Sequence, residues 1–64
     1  MQIVRIQTRT DYEWKNEGAL EYEVSRHSGY KTLFEAIEVA SEDILELQER
    51  NPEIKYRMTI TEEA

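Results

Sequence analysis

The chain has no cysteine, a single proline, Pro52, and only two glycines, Gly18 and Gly29, in 64 residues. Without cysteine, neither disulfides nor thiolate metal sites can brace the fold, which fits a reducing compartment. With so few backbone punctuators there is no linker, repeat or low-complexity tract, so residues 1–64 are expected to form a single domain. No apolar run approaches the roughly 20 residues that cross a bilayer, and the opening MQIVRIQT lacks a charged n-region followed by an apolar one. Membrane insertion and secretion are not expected; a cytoplasmic location is. An excess of base is missing too, since 14 acids face 8 bases for a net charge of −6. Phosphate contacts need surplus lysine and arginine, so direct binding to nucleic acid or anionic lipid is not expected, and basic partners are favoured.

What remains is the composition of a folded globule, 39% hydrophobic and 34% charged. At this length folding buries only about 60% of the surface that the unfolded chain exposes, so the core is small and leaves no room for a deep enzyme cleft.

Two periodicities organise the chain. From Val4 to Trp14 the even positions are Val4, Ile6, Thr8, Thr10, Tyr12 and Trp14, alternating with Arg5, Gln7, Arg9, Asp11 and Glu13. That period of two predicts a half-buried strand. The alternation resumes at Leu20, Tyr22 and Val24, so Asn16-Glu17-Gly18 is read as a three-residue hairpin loop with a left-handed glycine at its end. This register would pair Trp14 with Leu20 and Tyr12 with Tyr22, and would keep Tyr12, Trp14 and Tyr22 on the core side. Tyr30, beside Gly29, is expected to be exposed.

Thr32 and Glu35 carry the capping-box spacing and open a helix near Thr32 or Leu33. Leu33, Ile37, Ala40, Ile44 and Leu47 form its apolar stripe, and Asn51-Pro52 ends it. A last strand over Ile54–Thr61 turns Ile54, Tyr56, Met58 and Ile60 inward, with Lys55, Arg57, Thr59 and Thr61 outward. The fold class is therefore α+β: a two-layer sandwich, β-β-α-β, in which a right-handed crossover gives a three-stranded antiparallel sheet of order 2-1-3 with one helix on one face.

Charge is unevenly divided. Thr32 to Glu49 holds six acids and no base, while the rest of the chain holds eight of each. At about 100° per residue, Glu35, Glu38, Glu42, Glu46 and Glu49 fall within roughly 80° of arc opposite the apolar stripe, and Asp43 lies to one side. Glu38/Glu42 and Glu42/Glu46 are like-charge pairs one turn apart, locally unfavourable where Glu–Lys pairs would support the helix. A charged face is the ordinary state of a solvated helix, yet this one breaks a local rule without local compensation. Carboxylates four residues apart stand about 6 Å apart along the axis, comparable to the phosphates of one DNA strand. Phe34 and Leu45 on one shoulder, and Val39 on the other, are either the rim of the core or anchors for a partner. A second acidic cluster, Asp11, Glu13, Glu21 and Glu23, falls on the outer sheet face, where the proposed register sets Glu13 against Glu21 and Asp11 against Glu23.

His27 is the only histidine and lies in a loop. Glu42, Asp43 and Glu46 lack the loop that wraps calcium, and Glu38 and Glu42 lack the desolvation that would split their pKa values for acid–base work. Arg5, Arg9, Lys55 and Arg57 could grip a nucleic-acid strand, but the expected register sends the aromatics to the other face. No catalytic residue, cofactor or metal is expected. In size and charge the chain resembles, in type only, phage-encoded host-takeover, anti-defence and nuclease immunity proteins. The expected function is non-enzymatic: an acidic inhibitor that mimics DNA or RNA on the basic surface of a nucleic-acid-binding protein. The alternative is a structural or adaptor subunit that forms a homodimer through a sheet edge.

Overall fold

The structure, a computed structural model, describes residues 1–27 and 29–63, with Glu17 and Ala19 described in backbone only. Its elements are β1 (Gln2–Arg9), β2 (Trp14–Val24), α1 (Leu33–Arg50) and β3 (Lys55–Glu62). The strands form one antiparallel sheet in the order β2-β1-β3. The helix packs against all three strands. Beyond the ladder, Tyr30 makes a one-residue parallel bridge to Val24. Fold class, strand order and the position of the helix are those expected from the sequence.

The hairpin differs. Arg9 pairs with Trp14, so the chain reverses through Thr10–Glu13, and Asn16-Glu17-Gly18 lies inside β2. Pairing runs from Gln2↔Val24 to Arg5↔Glu21, then resumes at Gln7↔Asn16, so β2 carries a bulge opposite Ile6. The physical reason is electrostatic. A turn at Asn16-Glu17-Gly18 would oppose Glu13 to Glu21 and Asp11 to Glu23; the earlier reversal leaves Asp11 and Glu13 exposed in the loop and sets Glu21 beside Arg5, at 3.2 Å. Gly18 is not in the left-handed region; the one glycine that is, Gly29, has φ +72°. A Cβ on Gly29 would lie 2.5 Å from the Glu23 carbonyl oxygen, the atom that accepts the Tyr30 N–H at 2.9 Å. Glycine is required there, not at the predicted turn.

The offset within β2 is odd, so it exchanges sheet faces along the strand. Tyr22 keeps the expected face and pairs with Val4, whereas Trp14 pairs with Arg9 on the face away from the helix. Tyr12 is 90% exposed in the loop. Neither Trp14–Leu20 nor Tyr12–Tyr22 is a cross-strand pair.

The core is Val4, Ile6, Tyr22, Ala36 and Ala40, flanked by Leu33, Ile37, Val39, Ile44, Tyr56 and Met58. Ala36 and Ala40 are fully buried, and their small side chains let the helix backbone approach the sheet. Tyr30 is half-buried, not exposed, with its ring 5.9 Å from that of Tyr22. The Thr32 hydroxyl accepts the Glu35 N–H at 3.1 Å, and Glu35 reaches back to the N–H of Lys31 at 3.4 Å, one residue earlier than a strict capping box. At the other end the Asn51 N–H donates to the Leu47 carbonyl at 2.9 Å, and Gln48 donates to the Ile54 carbonyl at 2.8 Å. These bonds fix the turn into β3, which starts at Lys55 rather than Ile54. Ile60, expected inward, is 46% exposed on that edge strand.

Candidate functional site

The side of α1 away from the sheet carries the acids. Glu35, Glu38, Glu42, Glu46 and Glu49 are all exposed. Among the described residues the helix makes one ion pair, Arg50 to Glu46, and it lies within the helix. Arg5, the strand base nearest the centre of the sheet, is committed elsewhere: its side chain is 17% exposed and meets Glu21 at 3.2 Å and Glu63 at 2.8 Å. Its hydrogen bonds to Glu63, then to Glu21, raise the guanidinium pKa above its ordinary value. The helix covers one sheet face while Arg5 sits on the other, so the acids on the outer side of α1 are not neutralised from the strands.

Asp43 stands apart from the ridge. It is half-buried and accepts a hydrogen bond from the Tyr22 hydroxyl. Burial, and then that bond, push the Tyr22 phenol above its ordinary 10.0. Phe34 and Leu45 are 69% and 68% exposed, so they are not rim residues of the core. Val39, on the opposite shoulder, does pack against the core. Phe34 and Leu45 lie eleven residues apart, about three helical turns, and share the edge of the acidic face. The second acidic cluster is not brought together: Asp11 and Glu13 lie in the hairpin loop, while Glu21 and Glu23 pair with Arg5 and Ile3 further along the sheet.

The sequence places Arg9, Lys55 and Arg57 on the uncovered sheet face; the structure adds Trp14, which was expected on the core side. The Arg57 guanidinium lies 4.4 Å from the Trp14 ring centroid, and that of Arg9 lies 5.9 Å from it. Arg57 Nε donates to Gln7 at 2.7 Å, and Gln7 donates to Asn16 at 2.9 Å, a chain of side-chain bonds across all three strands. The signal that could have placed Trp14 there is the repulsion of Glu13 against Glu21 and Asp11 against Glu23 in the expected register, which the turn at Thr10–Glu13 removes.

The cavity of about 220 Å³ at the hairpin is lined by Thr10, Asp11, Tyr12, Glu13 and Lys15, all from one short segment, with no nucleophile–base pair. Among the described residues no group of three or more histidine, cysteine or acidic side chains could hold a metal ion. Among the described residues no helix is long and apolar enough to cross a membrane. Comparison with protein-family models, with curated proteins and with solved structures gives no match, so any functional reading rests on these two surfaces.

Proposed function

We propose that the protein is a non-enzymatic acidic inhibitor whose helix occupies the basic surface of a nucleic-acid-binding protein in place of DNA or RNA. The observation that carries this reading is the exposed row of Glu35, Glu38, Glu42, Glu46 and Glu49, which receives no base from the sheet. Its spacing, about 6 Å per four-residue step, matches a phosphate array in scale. Phe34 and Leu45 beside it supply the apolar contacts that slow dissociation once charge has steered the encounter. A cytoplasmic location goes with such a target.

The test is capture of basic proteins on the immobilised chain at low salt, compared with Glu38→Gln/Glu42→Gln/Glu49→Gln, which spares the Glu46–Arg50 pair. The captured protein should be released by salt and by duplex DNA, and should be lost from the variant. Equal capture by both chains overturns the reading.

The alternative, a subunit paired through a sheet edge, draws on β3, an eight-residue edge strand whose only ladder partner is β1. Ile60, 46% exposed on it, would be covered in such a dimer. Sedimentation velocity separates the two: a tight dimer insensitive to salt, with no basic partner, favours the edge.

A further inference from the structure

Among the described residues Arg5 and Arg50 pair with carboxylates. Lys15, Arg26, Lys31, Arg9, Lys55 and Arg57 form no ion pair there, but only the last three are gathered as neighbours on the uncovered sheet face. Arg9 is the ladder partner of both Trp14 and Lys55, and Gln7 is the partner of Arg57.

The two arginines are also held in place. Arg57 reaches across β1 to Trp14, 4.4 Å from its ring centroid, with Nε bound to Gln7, itself bound to Asn16. Arg9 lies 5.9 Å from the same centroid, with Nε bound to the Asp11 carbonyl at 3.2 Å. In each case the inner nitrogen is used and the terminal nitrogens carry no hydrogen bond to another described residue. Guanidinium groups fixed by a ring and an amide have lost their rotamer freedom before any ligand arrives, which is the costly part of binding an anion.

We infer that Arg9 and Arg57, held against Trp14, form with Lys55, the ladder partner of Arg9, a binding site for a compact phosphate monoester. Two planar forks and an ammonium match a tetrahedral dianion in number of donors and in charge better than a single carboxylate. A long polyanion is disfavoured: Asp11 and Glu13 stand in the adjoining loop, and within a Debye length of about 10 Å a strand leaving the site meets the rest of a chain of net charge −6. The site is separate from the acidic helix face and does not depend on the role proposed for it.

Trp14 is the only tryptophan, so its fluorescence reports directly on an anion that draws Arg57 or Arg9 away from the ring. The purified chain is titrated with inorganic phosphate, phosphoserine and uridine 5′-monophosphate, each against sodium chloride at matched ionic strength. A saturable change with the phosphates and none with chloride is expected. Similar affinity for all three means that the group alone is read; tighter binding of one identifies its source. Arg57→Gln and Arg9→Gln, shown folded by circular dichroism, should weaken binding by about tenfold or more, as should the exposed Lys55→Gln, while Arg26→Gln in the distant loop should not. No saturable change, an equal response to chloride, unchanged affinity in Arg57→Gln and Lys55→Gln, or binding of an oligonucleotide but of no monoester overturns the assignment.

Discussion

Tyr22 on β2 donates its phenolic hydrogen to the carboxylate of Asp43 on α1, joining the two layers of the sandwich by a polar bond at the edge of an apolar core. Tyr22→Phe removes the donor and leaves a half-buried carboxylate unmatched, a loss of about 1 to 2 kcal/mol in chemical denaturation. Because the folded-state pKa of Tyr22 is raised, its contribution is complete below the unfolded value of 10.0 and declines as pH rises beyond it. Stability of the native chain should therefore fall more steeply above pH 10 than that of Tyr22→Phe, as read by denaturation midpoints across the alkaline range.

The two glycines should respond oppositely to alanine. At Gly29 the left-handed backbone and the approach to the Glu23 carbonyl together cost about 2 kcal/mol or more, lowering the melting temperature by on the order of 10 °C. Gly18→Ala meets open space and should leave it unchanged or slightly higher. A large loss at Gly18 would mean that the reversal lies at Asn16-Glu17-Gly18 after all.

Ala40 is fully enclosed between helix and sheet. Ala40→Leu should destabilise the fold by about 1 to 3 kcal/mol through overpacking, seen as a lower denaturation midpoint.

Phe34→Ser and Leu45→Ser should change thermal stability by no more than about 0.5 kcal/mol, because both side chains already stand in water. If the acidic face binds a partner, the same changes should raise its dissociation rate and leave the salt dependence of association intact. Surface plasmon resonance on the captured protein reads both.

The helix was legible from end to end because several signals agree there: Thr32 as cap, apolar residues at intervals of three and four, and Asn51-Pro52 as stop. Sheet order followed from crossover handedness. The hairpin was not legible from periodicity, because alternation ran unbroken through Thr10 and Tyr12 and masked a loop. Cross-strand charge carried the missing information: opposing Glu13 to Glu21 was the warning, and Arg5 beside Glu21 is the resolution. The acidic row could be read from spacing alone. The Trp14 cluster could not, since its face depends on the parity of an offset visible only once the strands are paired. Ala36 escaped the predicted stripe because a small residue adds little to an apolar pattern, though it is as buried as any side chain in the fold.

The irregularity in β2 also bears on how the hairpin can change by mutation. Its surplus over β1 equals the stretch from Glu17 to Ala19, so losing those three codons would set Leu20 against Ile6 and leave every other partner in the ladder unchanged. An in-frame deletion of nine nucleotides would thus yield a shorter, continuous hairpin with Trp14 still facing Arg9. Deletions of one or two codons would leave a smaller bulge that the ladder has to absorb.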